Sequence, residues 1–288
     1  MINIITINWN SSEQLHDLME SIECSGFPDL RVILVNNSPL DLGFEQVVNT
    51  YSEKLECHPI TNHDNLGYTG GNNIAYQYLV NNNLEGDILI VNPDVVLHSN
   101  TIHEMNVALS DGNSAVMVRT LDEHEQVIYD SITLDGFIQK NNIVGTNRII
   151  KTDYVAGSCF LLSRDVIDKV GLFDNRYYLY WEEVELSYRL KFYNYNLVST
   201  TFTHVVRKSN NEDRTVNAYY YYIRNAFLLK NSNYFSCQYF KFVGFIFWVV
   251  FLSVVKSIKS FDFRYIYSSI QGLCDGLLSK SGPKKSSD

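Results

Sequence analysis

The sequence has no cluster of lysine and arginine of the kind that binds a phosphate backbone. Its 288 residues carry 23 Lys and Arg against 32 Asp and Glu, and the formal net charge is −9. Nucleic-acid binding depends on clustered cations that displace counterions. This balance therefore excludes a nucleic-acid partner and disfavours any polyanionic ligand.

Cysteine is present without a pattern. There are five cysteines, an odd number, with neither a CxxC pair nor a Cys/His ligand spacing. A disulfide framework and a zinc site are both disfavoured, and reduced, mostly buried thiols in the cytosol are expected. The opening MINIITINWN lacks a basic segment followed by an apolar one, so we expect no secretory signal and a cytoplasmic protein. The cysteines are Cys24, Cys57, Cys159, Cys237 and Cys274.

The two common glycine-rich phosphate motifs are also missing. Neither GxGxxG nor GxxxxGK[ST] occurs, so a Rossmann dinucleotide site and a P-loop are disfavoured. A sugar-1-phosphate nucleotidylyltransferase needs a loop rich in glycine and Lys or Arg to hold a triphosphate, and no such loop follows the first apolar run.

What the sequence does contain is an alternation of short apolar runs and helix-period segments, which indicates βα units and a mainly parallel sheet. Between 122 and 151 the pattern is irregular and polar. The predicted strands are Asn3–Asn8, Arg31–Val35, Leu55–Ile60, Asp87–Val91, Ala115–Arg119, Tyr154–Ser163 and Val198–Val206. The predicted helices are one that begins at Ser11 or Ser12 and ends at Gly26, then Asn72–Val80, Ser99–Leu109, Arg164–Val170, Glu182–Phe192 and Val216–Lys230.

Four asparagine-rich loops follow the first four predicted strands. In a parallel sheet the loops at the carboxyl ends of strands converge on one crevice, where ligands bind. Four asparagine-rich loops at equivalent positions, each after a strand, favour a nucleotide site over ordinary polar loops. The loops are Asn8–Asn10, Asn36–Ser38, Asn65–Asn73 and Asn92–Asp94.

Asp94 places one carboxylate directly after the apolar run ILIV. Mg²⁺ and Mn²⁺ take one or two carboxylates and complete their shell with phosphate oxygens and water. Asp94 is thus a candidate ligand for a cation on a diphosphate. An aspartate after proline is otherwise a common turn residue.

Residues 171–189 contain a group of aromatic residues followed by three acidic residues. Their sequence is GLFDNRYYLYWEEVELSYR. Acids in a first helical turn are favoured by the helix dipole, and Glu185 with Arg189 makes an ordinary i,i+4 pair. The functional alternative is a general base, since sugar C–H faces pack on aromatic rings and a desolvated carboxylate binds protons more tightly.

Taken together, these motifs resemble glycosyltransferase family 2, in particular bacterial rhamnosyltransferase-like members that build O-antigen, capsule and related polysaccharides. The resemblance covers about residues 2 to 230. It is carried by INWN, VNNS, NLGYTGGNN, NPD in the place of the DxD-type metal motif, the block from Gly171 to Arg189, and His204…Ser209 followed by YYIRN.

The resemblance implies a GT-A-type α/β fold and an inverting transfer from dTDP-rhamnose or a UDP-sugar to a glycan or lipid-linked acceptor. It makes Glu183 the catalytic base, puts Tyr180, Trp181 and Glu182 on the acceptor side, and gives Mg²⁺ or Mn²⁺ the ligands Asp94 and His204. His204 and Arg224 would flank the diphosphate. The donor nucleotide would be bound by Trp9, Asn36, Asn37, Asn65, Gly67, Gly71, Asn72, Asn92 and Asp94.

Two positions depart from the family pattern. Asn36 stands where an aspartate usually accepts from a pyrimidine N–H, although an amide oxygen also accepts. Glu183 stands where aspartate is commoner. Because of these two departures, an alternative function stays open: the protein would be a catalytically silent GT-A-like scaffold subunit of a polysaccharide assembly complex.

The C-terminal region carries an apolar run of 14 residues, Phe242–Val255, flanked by cations. A bilayer span needs ~20 apolar residues. We therefore expect an interfacial helix, with peripheral contact to the inner face of the cell membrane through 236–264; a buried core helix is the alternative. The predicted division is a catalytic domain over 1–230, with its nucleotide-binding half at about 1–120 and its acceptor-facing half at about 121–230, followed by a helical extension over 231–288.

Overall fold

The computed structural model describes residues 1–145, 147–208 and 215–284. Its strands are β1 (Ile2–Asn8), β2 (Leu30–Asn36), β3 (Glu56–Thr61), β4 (Asp87–Val91), β5 (Val95–Leu97), β6 (Ala115–Leu121), β7 (Val127–Tyr129), β8 (Ser131–Asp135), β9 (Ile138–Asn142), β10 (Ile149–Lys151), β11 (Cys159–Leu162) and β12 (Leu197–Arg207). Its helices are α1 (Ser12–Cys24), α2 (Leu42–Tyr51), α3 (Gly67–Asn81), α4 (Thr101–Ser110), α5 (Arg164–Val170), α6 (Glu182–Phe192), α7 (Val216–Lys230), α8 (Tyr239–Ser260) and α9 (Arg264–Leu277).

A mixed, mostly parallel sheet lies at the centre, in the order β10-β12-β6-β11-β4-β1-β2-β3. β1 is parallel to both β2 and β4, β2 is parallel to β3, and β6 is parallel to β12. β11 runs antiparallel between β4 and β6. The carboxyl ends of β1, β2 and β4 therefore lie side by side at one edge, as the parallel-sheet prediction requires.

The sheet is buried on both faces because neighbouring residues of a strand point to opposite sides. In β1, Ile5 packs in one apolar cluster with side chains of α3, α5, α6 and α7. Ile4 packs in the other cluster with side chains of α1, α2 and α4. Near-continuous apolar strands such as ILIV in β4 are what a sheet covered on both faces needs.

Most predicted elements are confirmed, and three helices agree with the prediction at both ends, Arg164–Val170, Glu182–Phe192 and Val216–Lys230. α2 was not predicted; Asp41 caps it by accepting from the Gly43 amide at 3.1 Å. α3 begins at Gly67, five residues before the predicted start at Asn72. An asparagine turn explains the early start, since Asn65 Oδ1 accepts from the Gly67 amide at 2.8 Å.

The strand predicted over Tyr154–Ser163 was too long, since only Cys159–Leu162 pairs in the sheet. Two hydrogen bonds outside the sheet hold the preceding segment. The Val155 amide donates to Ser187 Oγ at 3.1 Å, and the Ser158 carbonyl accepts from the Asn92 amide at 2.9 Å. This apolar stretch lines the crevice instead of continuing the strand.

The helical C-terminal region is confirmed, and α9 lies tightly against α7. A side chain at Gly272 would come within 2.6 Å of the Tyr220 carbonyl. α8 has 22 residues and extends beyond both ends of the 14-residue apolar run Phe242–Val255, which by itself is too short to span a bilayer. In the described part of the chain, α8 is the one helix that is long and apolar enough to cross a membrane, and about 33% of its most apolar window is buried.

Candidate active site

A cavity of about 340 Å³ opens at the carboxyl edge of the central strands, beside the start of α6. Its wall is largely aromatic and also holds two carboxyl groups and one guanidinium. The lining includes Tyr68, Asn92, Tyr129, Tyr154, Gly157, Tyr180, Trp181, Glu182, Glu183, Arg207 and Tyr222. Five residues that the resemblance placed in the site, Asn92 and the four from Tyr180 to Glu183, thus meet in this cavity.

A strained turn positions the two glutamates. Tyr180 and Trp181 have φ values of 70° and 73°, a left-handed conformation that side-chain-bearing residues rarely adopt. Asn225 of α7 holds this turn by donating to the carbonyls of Leu179 and Tyr180 at 2.7 and 2.9 Å. The Trp181 indole donates to the Tyr222 carbonyl at 3.0 Å. α7 thereby fixes where α6 begins and which way its first acids point.

Glu182 and Glu183 form a buried carboxyl pair at the first turn of α6. Glycine at position 157 leaves the space that Glu183 occupies, since a Cβ there would lie 3.1 Å from Glu183 Oε1. Burial raises the pKa of both carboxyls, and the charge of Glu183 raises that of Glu182 further. A hydrogen bond from Glu182 partly offsets the effect of burial on Glu183. Side by side and buried, the two carboxyls disfavour carrying two charges at once.

Glu185 points away from the cavity and is occupied by an ion pair. Its carboxylate receives Arg189 Nε at 3.1 Å and Nη2 at 2.9 Å. Arg189 also donates to the carbonyls of Val170, Gly171 and Leu172. Burial raises the pKa of Glu185 in spite of Arg189. The pair ties α6 to the end of α5 and leaves Glu182 and Glu183 as the acids that face the cavity.

Asp94 meets Arg207 at the edge of the cavity. Arg207 Nε lies 3.0 Å from Asp94 Oδ2, and the Asp94 side chain is 18% exposed. The antiparallel pairing of β5 with β12 brings the two together, since Arg207 lies opposite Val95. Arg207 was not among the predicted site residues. The feature of the sequence that could have indicated Arg207 is its position, directly after the predicted strand Val198–Val206 and three residues after His204.

The residues at this edge fit a divalent cation with a single protein carboxylate. The hydrogen bond from Arg207 goes to Asp94 Oδ2, and Mg²⁺ or Mn²⁺ commonly uses only one or two carboxylates beside phosphate oxygens. Across 1–145, 147–208 and 215–284, three His, Cys, Asp or Glu side chains converge closely enough to share an ion only at His16, Asp17 and Glu20. None of those three lines the cavity.

The structure does not bring His204 and Arg224 into this cavity. The His204 ring lies against His98, with ring centroids 4.7 Å apart, and burial lowers the pKa of His204. Arg224 is 0% exposed; it donates to Asn225 Oδ1 at 2.6 Å and to the Gly282 carbonyl at 2.8 Å. Its guanidinium lies over the rings of Tyr220 and Tyr221. Ser209 lies outside the described residues.

Several predicted nucleotide residues hold the loops together. Asn37 donates to the Gly67 carbonyl at 3.1 Å and accepts from Asn62 at 2.8 Å. Asn72 is 0% exposed and donates to the Tyr68 carbonyl at 2.9 Å. A side chain at Gly71 would come within 2.8 Å of Ile7 Cδ1. These residues shape the loops at the carboxyl edge, while Trp9 stands 59% exposed beside them.

A second cavity, of about 600 Å³, lies at the same edge between the starts of α1 and α2. It adjoins the carboxyl ends of β1 and β2, whereas the first cavity adjoins those of β4 and β12. Its lining consists of Asn10, Ser11, Ser12, Glu13, Gln14, Leu40, Asp41 and Leu42.

Comparison with solved structures identifies this architecture. The TarS structure from S. aureus (residues 1–349) aligns with a TM-score of 0.58 and 14% identity over 81% of this chain and 66% of its own. The mannosyltransferase PcManGT from Pyrobaculum calidifontis aligns with a TM-score of 0.59 and 11% identity over 97% of this chain and 88% of its own. The chain has a GT-A glycosyltransferase fold.

One relative matches the chain over almost its whole length. The low-salt glycan biosynthesis hexosyltransferase Agl10 of Haloferax volcanii is 24% identical over 98% of this chain and 92% of its own length. No family model matches the chain. The relative supports a glycosyltransferase of glycan biosynthesis, and the solved structures show the fold. The chain spans just under two thirds of the TarS 1–349 chain.

Proposed function

We propose that this protein is an inverting glycosyltransferase that moves rhamnose or a hexose from a nucleoside-diphosphate sugar to a hydroxyl of a glycan or lipid-linked acceptor. The pathway we infer is polysaccharide assembly of the O-antigen or capsule type. One observation carries the proposal: Glu183 and the neighbouring Glu182 face an aromatic-lined cavity, at whose edge Arg207 meets Asp94.

The aromatic wall suits a sugar acceptor. The ring C–H faces of a sugar pack on aromatic side chains, and tyrosine hydroxyls at their rims bind its hydroxyls. Tyr129, Tyr154 and Tyr180 line the cavity with Trp181 and Tyr222. This wall orients the acceptor hydroxyl toward Glu183.

Glu183 acts as the general base in this mechanism. It takes the proton of the acceptor hydroxyl as that oxygen attacks the anomeric carbon from the face opposite the diphosphate, and a single displacement inverts that carbon. Burial raises the pKa of Glu183, which brings it nearer to neutral pH and makes it a stronger proton acceptor once ionised. Glu182 lies beside Glu183 at the first turn of α6, and the charge of Glu183 adds to burial in raising the pKa of Glu182.

Asp94 and Arg207 form the donor side. Negative charge grows on the diphosphate as the sugar leaves, and the Arg207 guanidinium is placed to stabilise it. Asp94 would hold Mg²⁺ or Mn²⁺, which when bound neutralises phosphate charge. In support, PcManGT was solved with GDP-Man and Mn²⁺, and TarS with UDP-GlcNAc.

Donor hydrolysis separates this function from the silent scaffold, which Asn36 and Glu183 left open. With Mn²⁺ and a panel of UDP-, dTDP- and GDP-sugars, we expect one nucleotide class to raise the thermal midpoint through binding linkage. That donor should also release sugar slowly to water. The measurements are a thermal-shift assay and chromatography of the nucleoside diphosphate. Binding without any release, in the presence of acceptor as well, would favour the scaffold.

We also propose a peripheral location at the inner face of the cell membrane. α8 and α9 each expose a broad apolar stripe, in which most members recur at intervals of three, four or seven residues, as one helix face requires. The opposite side of α8, including Phe245 and Val249, is buried against the protein. A helix apolar on its outer side and packed on its inner side lies in the membrane interface instead of crossing it. The exposed stripes are Phe240, Phe247, Trp248, Phe251 and Ile258 on α8, and Tyr267, Ile270 and Leu277 on α9, whose N-cap residue Phe263 is exposed as well.

Replacing Phe247, Trp248 and Phe251 together with serine should abolish binding to vesicles that contain phosphatidylglycerol, because these side chains supply the apolar area that enters the interface. Co-flotation of the full-length protein measures it. A matched control, Phe192→Ser with Phe202→Ser, removes apolar side chains that are 58% and 48% exposed elsewhere, and it should float like the original protein. If the triple variant floats equally well, α8 does not contact the membrane.

A further inference from the structure

The inner face of α8 packs against the wall of the active-site cavity. Phe245 of this helix is 7% exposed. Its ring centroid lies 5.0 Å from that of Phe137, 5.6 Å from Trp181 and 5.8 Å from Tyr222. Trp181 and Tyr222 both line the cavity. A helix predicted to belong to a C-terminal extension thus lies directly behind the cavity wall.

Trp181 depends on these contacts because its backbone is strained. Its φ of 73° is left-handed, and a residue with a side chain keeps such a conformation only where its surroundings hold it. The side chain is held on several sides. Its indole N–H donates to the Tyr222 carbonyl at 3.0 Å, and its ring packs on Phe137 and Tyr222 at centroid distances of 5.3 and 4.9 Å. Phe245 completes this enclosure.

The position of Trp181 determines where α6 begins. Trp181 is the N-cap residue of α6, and its carbonyl accepts from the Glu185 amide at 2.9 Å. Glu182 and Glu183 follow directly, so a rotation of the backbone at Trp181 would turn both carboxyls. A displacement of about 1 Å at a reacting group can lower a rate by about 100-fold. The packing of the Trp181 ring therefore affects the aim of the proposed base.

Phe245 also contacts a second wall of the cavity, the hairpin of β8 and β9. Ile132 and Gln139 of this hairpin line the cavity. Phe137 at its turn is 3% exposed, and its ring stacks on Phe245 with an interplanar angle of 25°. One side chain of α8 therefore joins the hairpin to the turn that precedes α6.

Building on the proposed function, we propose that Phe245 is a positioning residue of the active site: by packing on Trp181 it fixes the turn before α6 and thereby the direction of Glu183. The two faces of α8 then have different roles. The outer face carries the exposed stripe of the proposed membrane contact, and the inner face supports the cavity wall. On this proposal α8 is part of the catalytic unit and not a separable anchor.

The fluorescence of Trp181 tests the contact without any substrate. The chain has three tryptophans, and Trp9 and Trp248 are 59% and 57% exposed. Replacing these two with phenylalanine in the full-length protein leaves Trp181 as the only tryptophan. In this background Phe245→Leu should shift the Trp181 emission to longer wavelength and increase its quenching by acrylamide, because leucine covers less of the indole ring and water gains access to it.

The second measurement is the release of sugar to water by the protein that keeps all three tryptophans. Water replaces the acceptor hydroxyl in this reaction, so the rate still depends on Glu183. With Mn²⁺ and saturating dTDP-rhamnose, UDP-glucose or GDP-mannose, Phe245→Leu should lower the maximal rate of hydrolysis by about 10- to 100-fold. The dissociation constant of the donor should stay close to that of the original protein, since the diphosphate lies toward Arg207. Phe245→Met should restore most of the rate, because its flexible thioether packs well on aromatic rings.

Phe242→Leu is the matched control, since it makes the same change about one turn earlier on the buried face of α8. Phe242 is 6% exposed, and its ring lies 5.4 Å from Phe137 and 4.9 Å from Phe227. Phe137 keeps its other ring contacts in this variant. The thermal midpoint should fall about as far as in Phe245→Leu, while the Trp181 emission and the hydrolysis rate stay near their original values.

The outcomes separate this proposal from the proposed function. If Phe245→Leu changes the Trp181 emission and the hydrolysis rate no more than Phe242→Leu does, Phe245 has no positioning role, while the transferase function stands. If the emission changes and the rate does not, Phe245 packs on Trp181 without directing the base, and the proposal is again wrong. If the original protein binds none of UDP, dTDP and GDP and hydrolyses none of the three donors, the transferase function is wrong and the positioning role falls with it.

Discussion

Replacing Glu183 with glutamine should lower the rate of sugar transfer by about 10²- to 10⁴-fold, the usual effect of losing a positioned general base. The amide keeps the size and most contacts of the side chain in the space beside Gly157 but accepts no proton. Donor affinity should stay close to that of the original enzyme, since Glu183 faces the acceptor and the diphosphate lies toward Arg207. The measurements are turnover with a saturating acceptor and a donor dissociation constant.

Glu185→Gln is the matched control, because it makes the same chemical change two residues along the same helix. It breaks a buried pair with Arg189, which typically costs about 3–5 kcal/mol of folding stability. A lower thermal midpoint with turnover largely kept per folded molecule is expected. If Glu183→Gln turns over normally while Glu185→Gln or Glu182→Gln is folded but inactive, the base has been assigned to the wrong carboxylate.

The pH dependence follows from the same pair. Burial raises the pKa of Glu183, so the group stays protonated, and inactive as a base, to a higher pH than an ordinary glutamate with its pKa of 4.5. Transfer should therefore fall as the pH drops through this raised pKa. The effect on folding stability has the opposite sign. A carboxyl whose pKa is higher in the folded than in the unfolded protein stabilises the fold at low pH. The fold loses this stabilisation as the pH rises from the unfolded-state pKa through the folded-state pKa. A rate profile and a melting profile over the same pH range separate the two.

The fold was largely predictable because its signals are local. Apolar runs such as ILIV marked the strands, and acids in the first turn marked the start of α6 at Glu182. α2 was missed because its start depends on Asp41 accepting from the Gly43 amide within a loop that reads as irregular. The extent of β11 depends on contacts with α6 and β4, which lie far away in the sequence.

The residues that line the candidate cavity were predicted in part, and the contacts that were not predicted join residues distant in sequence. Glu182 and Glu183 were found because they follow an aromatic segment within one motif. Arg207 was missed because its ion pair with Asp94 forms only when β5 pairs with β12. Asp94 and Arg207 are 113 residues apart in the sequence. Asn225 was passed over in favour of Arg224, its neighbour. About 100° separates adjacent residues around a helix, and here that difference directs Asn225 to the turn before α6 and Arg224 to the C-terminal segment.

Removing divalent cations with EDTA should abolish transfer, and Asp94→Ala should weaken nucleoside-diphosphate binding in Mn²⁺ by about a hundredfold or more. The same variant should bind equally well with and without Mn²⁺, because its only change is the loss of the carboxylate expected to hold the ion. Calorimetry with UDP, with and without Mn²⁺, measures both effects and does not depend on an acceptor.

Asp17→Ala is the control for this experiment, since Asp17 belongs with His16 and Glu20 to a group whose ligand atoms lie close enough together to hold a cation. If Asp17→Ala removes the Mn²⁺ response and Asp94→Ala does not, the ion binds on α1. Full transfer in EDTA would instead assign charge stabilisation to Arg207, whose guanidinium already lies 3.0 Å from Asp94. Arg207→Gln should then abolish transfer with or without Mn²⁺, whereas with a metal site at Asp94 it should leave the Mn²⁺ dependence of UDP binding in place.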